Sequence, residues 1–124
     1  MLGVITSAIG ILMITDNRPA PVNIDESATY SGYIGTEGDI RYHSIRVYDN
    51  VSSIHFILRC PGSDFDLYGS LEELPSITTY DFRGYESGGE DFYVDYPAEG
   101  IWNLMVRSYS GTGQYSLIIE FEYT

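Results

Sequence analysis

From Tyr30 to the C-terminus, turn signals recur every eight to twelve residues, and the text between them alternates apolar with polar positions. Period two is the repeat of a half-buried strand, and stretches this short leave little room for an amphipathic helix. Ile40 to Tyr48 puts His43, Ile45 and Val47 on one face and Tyr42, Ser44 and Arg46 on the other. Asp49-Asn50 marks a turn. Ile54, Phe56 and Leu58 form the next inward set, and Cys60-Pro61-Gly62-Ser63 breaks that strand. Phe65 and Leu67 open a short strand, an irregular stretch surrounds Glu72-Glu73-Leu74-Pro75, and Thr78 to Phe82 reads as strand again. Glu86-Ser87-Gly88-Gly89 reads as a loop and Tyr96-Pro97-Ala98-Glu99-Gly100 as a turn. Phe92 and Val94 point inward between them, and Trp102, Leu104 and Val106 follow, Trp102 as a core anchor. Ser110-Gly111-Thr112-Gly113 turns the chain into a closing strand from Tyr115 to Phe121.

The count is about seven or eight strands, an all-β antiparallel sandwich without internal repeats. With 124 residues the chain suits one domain, which buries roughly two-thirds of the surface of the unfolded chain. Three segments are expected: an apolar stretch over residues 1–15, a linker over 16–29, and the sandwich over 30–124. The stretch from Leu2 to Ile14 is too short to cross a bilayer comfortably, and it lacks a basic start. It reads as a signal or membrane tether over residues 2–14, as an extra packed element, or as the edge of a longer parent protein, with the tether preferred. Closely spaced Pro19 and Pro21 mark the linker.

Charge narrows the function classes. The chain has 18 acidic residues against six arginines and no lysine, a net charge of -12. Such a surface repels phosphate backbones, which argues against nucleic-acid binding, and it suits calcium or cationic partners. A single cysteine, Cys60, excludes an intrachain disulfide. His43 and His55, the only histidines, fall in strand-like runs, so no nucleophile–base arrangement emerges and no enzyme is expected. Asp64 and Asp66 sit at alternate positions of a strand and could converge as paired acids, but the preferred reading is that they accept backbone N–H groups and shape a loop.

Four turn segments, in order, carry a resemblance. Asp64-Phe-Asp66-Leu67-Tyr68, Tyr80-Asp-Phe-Arg-Gly-Tyr85-Glu-Ser-Gly88, Pro97-Ala-Glu-Gly100-Ile-Trp102 and Val106-Arg-Ser-Tyr109-Ser-Gly-Thr-Gly113-Gln-Tyr115-Ser-Leu117 span most of the chain from Tyr30 to Phe121. Their order and spacing resemble the bacterial pre-peptidase C-terminal domain family, which includes the collagen-binding domains of clostridial collagenases. The resemblance implies a jelly-roll-like sandwich. It also implies a non-catalytic, extracellular or cell-surface accessory domain, expected to be monomeric, that binds a protein or polysaccharide polymer or supports an attached protease. The alternative is a structural or adhesion module of a cell-surface protein with no soluble ligand.

Two sites follow from the resemblance. By analogy with the calcium-binding relatives, Asn23, Asp25, Glu26 and Asp39 would hold Ca2+, with Glu37 beside them. Arg41 stands where the family carries a further Asp, and its charge opposes a cation. Tyr68, Tyr80 and Tyr93, with Met105 and Arg107, would form an outward aromatic platform for a ligand.

Overall fold

The computed structural model describes residues 19–23 and 26–124. The apolar stretch 1–15, the tether read over 2–14, and Asp25 lie outside the described residues. Nine strands are described: β1 (Val22–Asn23), β2 (Ser27–Ile34), β3 (Ile40–Val47), β4 (Val51–Arg59), β5 (Asp64–Leu71), β6 (Phe82–Arg83), β7 (Glu90–Asp95), β8 (Gly100–Ser110) and β9 (Gly113–Tyr123). They form a four-stranded sheet in the order β2-β9-β4-β7 and a five-stranded sheet in the order β1-β3-β8-β5-β6. From β2 to β9 this is the jelly-roll order, in which every connection except that from β5 to β6 crosses between the sheets. β1 adds a short parallel pairing to the outside of β3, with Asn23 opposite Arg46.

The alternation read from the sequence sets the core. Ile45, Val47, Ile54, Phe56, Leu58, Phe65, Leu67, Leu104, Val106, Leu117 and Ile119 are all buried between the sheets. Trp102 joins them and donates from its indole Nε1 to the carbonyl of Ala98 at 2.8 Å, which satisfies its one polar atom. Phe56, Phe82, Phe92 and Trp102 rings meet at centroid distances of 5.1 to 5.7 Å, an aromatic cluster at one end of the core. At the other end of the core His43 accepts or donates a 2.8 Å hydrogen bond with the Tyr115 hydroxyl and stacks on Tyr30. Burial lowers the His43 pKa and holds the ring neutral.

Two details depart from the alternation. The first long strand begins at Ser27, ahead of Tyr30, and pairs along β9 from Ile34 opposite Gly113 to Ser27 opposite Glu120. The stretch from Thr78 to Phe82, read as strand, is mostly irregular, and only Phe82–Arg83 pairs with β5. Ser76 is the reason. Its hydroxyl accepts from the N–H groups of Thr78 and Thr79 at 3.3 and 3.1 Å, closing a local turn that competes with a ladder. Gly69 must lack a side chain here, because a Cβ would lie 2.1 Å from the Phe82 ring that packs over it.

Candidate binding faces

Each sheet has an inner face on the core and an outer face, and the two outer faces differ. On the five-stranded sheet, Tyr68 and Met105 point away from the core and stand opposite each other across β5 and β8. Yet they are only 2% and 1% exposed. Residues 72–85 fold back over them. Asn103, also outward and fully buried, donates to the carbonyl of Glu73 at 3.1 Å and accepts from the Ser44 hydroxyl at 3.2 Å. Asp81 accepts from Leu71 N–H at 2.7 Å, and Tyr42 donates to the carbonyl of Pro75 at 3.4 Å. The chain therefore supplies its own cover, fastened by hydrogen bonds to outward side chains.

The cover ends in a charged cluster. The Arg83 guanidinium lies over the rings of Tyr68 and Tyr85, at 4.7 and 4.5 Å from their centroids, and donates to Asp66 Oδ2 at 3.1 Å. Asp66 and Glu90 are 4% and 2% exposed, and each carboxyl acts on the other, so the two titrate as a pair. Burial first, then the negative neighbours, push Glu90 up to about 7. Burial likewise raises Asp66, against the pull of Arg83. Glu90 Oε2 is buried with no hydrogen-bond partner among the described residues, which favours the protonated form. Glu90 Oε1 accepts from Glu86 N–H at 3.1 Å, and Gly84 leaves the space, since a Cβ there would sit 2.1 Å from that oxygen. Asp64 accepts from Gly88 N–H at 3.1 Å, the loop-shaping role read for it.

The expected aromatic platform is split between the two sheets. Tyr68, Tyr80, Met105 and Arg107 belong to the five-stranded sheet and its cover, Tyr80 touching Tyr68 with ring centroids 5.5 Å apart. Tyr93 lies on β7, opposite His55, and stacks on it at 4.1 Å on the outer face of the four-stranded sheet. Strand alternation alone cannot tell which sheet an outward residue decorates, nor that a loop will bury it.

The expected calcium set is also divided. Asn23 lies opposite Arg46, near the end of β3, whereas Asp39 precedes its first residue, Ile40. At about 3.3 Å per residue the two are some 23 Å apart along the strand. Glu26, at the start of β2, accepts from Phe121 N–H through its carbonyl at 2.7 Å and so sits at the Asn23 pole. One cation cannot be shared across that length. Asp39 instead lies 3.9 Å from Arg41, the residue that departs from the calcium pattern. Glu37 accepts from Gly111 N–H at 2.9 Å. Among the described residues no group of three or more His, Cys, Asp or Glu side chains is placed to hold a metal.

Among the described residues, the outer face of the four-stranded sheet carries no such cover. Its rows follow from the register. One row is Ser27, Glu120, His55 and Tyr93; the next is Thr29, Ile118, Ile57 and Asp91; then Ser31, Ser116 and Arg59; then Tyr33 and Gln114. His55 donates to Asp91 at 2.6 Å and to Glu120 at 3.0 Å, and the hydrogen bond to Asp91 above all raises its pKa. Toward Tyr33 the face opens into a groove of about 880 Å³, lined by Ser31, Gly32, Tyr33, Arg59, Pro61, Gly113, Gln114, Tyr115 and Ser116. Sequence reading missed this groove. The alternation of Ser31 with Tyr33 was legible, but their alignment with Arg59 needs the pairing of both β2 and β4 with β9.

No family model matches the sequence, and no curated protein matches it. Solved structures do. The pre-peptidase C-terminal domain of a collagenase from Bacillus anthracis superposes with a TM-score of 0.59 at 21% identity, covering 85% of this chain and all (100%) of that one. PliG from Aeromonas hydrophila, a periplasmic inhibitor of g-type lysozyme, superposes with a TM-score of 0.60 at 13% identity over 85% of this chain and 98% of its own. The lipase BlEst2 of Bacillus licheniformis in propeptide form gives 0.51 at 16% identity, over 98% of this chain and 27% of the lipase. The chain thus has the β-sandwich fold seen in the pre-peptidase C-terminal domain.

Proposed function

We propose that this chain is a non-catalytic accessory domain that works outside the cytoplasm, binding a polymeric protein or glycan or supporting an attached protease. The observation that carries the reading is the asymmetry of the sandwich: one outer sheet face is sealed by residues 72–85, and the other is left open by the described residues, with Tyr33 and Tyr93 58% and 61% exposed on its two edge strands. Exposed tyrosines on a rigid sheet offer large contact area at low entropic cost. The fold shared with the collagenase domain supports an accessory role, and the periplasmic description of PliG supports a place beyond the cytoplasmic membrane. The groups able to do chemistry are engaged with one another. His43 is tied to Tyr115, His55 to Asp91 and Glu120, and the Cys60 thiol, raised by burial, points to the Gly88 carbonyl at 3.0 Å.

Retention on insoluble collagen, chitin and cell-wall polymer tests the reading. Retention on one of them, weakened by a Tyr33→Ala, Tyr93→Ala double variant that melts like the parent, supports it. Retention indifferent to both tyrosines moves the contact off this face, and no retention on any of them favours an adhesion or structural module. A second reading follows from the -12 charge and the fold shared with PliG: capture of a cationic protein, such as a lysozyme. Inhibition of g-type lysozyme in a lysis assay would identify it.

A further inference from the structure

The charge along the open sheet face is not uniform. At the Tyr93 end lie Glu120, Asp91, Asp95 and Glu122, whereas the groove at the Tyr33 end has no carboxylate in its lining. Its one charged group is Arg59, exposed and without an ion pair or side-chain hydrogen bond among the described residues. Of the arginines on the sheets, Arg41 is paired with Asp39 and Arg83 with Asp66, and of the three with no ion pair among the described residues, Arg46, Arg59 and Arg107, only Arg59 is exposed.

The floor and walls have a particular shape. Ser31 and Ser116 are adjacent across β2 and β9, and Arg59 continues the same row on β4. Adjacent strands lie about 4.8 Å apart, so this row is a trough roughly 10 Å long from Ser31 to Arg59. Tyr33 and Gln114 stand as the next row, about 7 Å further along the strands. Thr29, Ile118 and Ile57 bound the other side. The trough runs across the strands. At Ser116, where the trough crosses it, β9 is paired on both sides, so an extended peptide cannot fill the trough there by adding a strand. Recognition falls to two hydroxyls, a carboxamide, an exposed phenol ring and a guanidinium.

That set matches a sugar ring that carries a carboxylate. We propose that the groove binds a hexuronic acid unit of an acidic polysaccharide, its carboxylate on Arg59, its hydroxyls on Ser31, Ser116 and Gln114, and its ring against Tyr33. A guanidinium takes a carboxylate in two parallel hydrogen bonds. The repulsion of the acidic chain is diffuse and is screened beyond about 8 Å at physiological ionic strength, whereas the contact with Arg59 is not. The inference rests on the accessory-domain reading and names its ligand class.

The test is chemical-shift mapping on the labelled protein with trigalacturonate and with its methyl ester, the same backbone without charge. Trigalacturonate is expected to shift Ser31, Arg59, Gln114 and Ser116, and the ester to bind at least about tenfold more weakly. Arg59→Gln removes that preference, and Tyr33→Ala weakens both ligands. Absence of shifts at millimolar trigalacturonate, shifts confined to another face, or equal binding of the ester overturns the proposal. So does triglycine, a free carboxylate without a sugar, binding as tightly as trigalacturonate. Polymer retention that survives Arg59→Gln likewise overturns the groove while leaving the accessory reading intact.

Discussion

The outer faces of the two sheets are built from the same alternating text and end in opposite states. On the five-stranded sheet, outward Tyr68, Asn103 and Met105 are as buried as core residues, because residues 72–85 return over them. On the four-stranded sheet, outward Ser31, Tyr33, Tyr93 and Gln114 remain exposed. The difference lies in the connections. The excursion over residues 72–89, between β5 and β7, is long enough to cross a sheet, and its carbonyls and carboxylates find Asn103, Tyr42 and Leu71 N–H waiting. Among the described residues, the four-stranded face has no comparable connection beside it.

The largest effect expected from this contrast is in paired truncations. Met105→Ala is expected to cost about 2–5 kcal/mol in urea unfolding, the range for a buried methionine, whereas Ile118→Ala, equally outward on the open sheet, costs about 1 kcal/mol or less. Equal costs would mean that the cover contributes no packing. Glu90→Gln comes next. Free glutamate titrates near 4.5 and Glu90 at about 7, so the folded state holds the proton more tightly. The resulting stability is complete below about pH 4.5 and is lost as pH rises through about 7. The variant, whose residue 90 cannot ionise, is expected to lose less stability over that window and to be about 2–3 kcal/mol more stable than the parent at pH 8. A parent with no loss of stability over that window would show that the carboxyl pair is not protonated.

Smaller effects belong to the open face. His55 is raised by its hydrogen bond to Asp91 and by Glu120, so its contribution is present below the ordinary histidine value and fades as pH climbs through the raised one. His55→Gln is therefore expected to cost more near pH 6 than above pH 8, by less than about 1 kcal/mol, since exposed ion pairs are weak. A larger cost at high pH would reverse the assignment. The smallest expected effect is none: any shift in melting temperature on adding calcium is the same in Asp39→Ala as in the parent, because Asp39 is at the opposite pole from Asn23 and Glu26.

Period two carried most of the fold into view. The inward sets at Ile54, Phe56 and Leu58, or at Trp102, Leu104 and Val106, are buried as the alternation requires, and the turn at Ser110 to Gly113 stands where its glycines put it. The candidate sites were far less legible. Alternation assigns a side chain to one of two faces but not to one of two sheets, which is why Tyr93 parts from Tyr68. Linear proximity to a strand says nothing about which pole of the sandwich a residue occupies, which is why Asp39 parts from Asn23. The Asp66–Glu90 pair joins residues 24 positions apart through a glycine, Gly84, whose only role there is to be small.

The pairing of β2 with β9 joins the first long strand to the last, over almost the whole described chain. Its consequence is temporal. On a ribosome, residues 27–34 have no partner until residues 113–120 have emerged, and the sheet that bears the groove cannot close before then. Folding dominated by such distant contacts is slow, in the millisecond-to-second range typical of all-β sandwiches. Through that wait the strands that will form the open face are exposed edges, and mutual repulsion among chains of charge -12 is what keeps them from finding each other first.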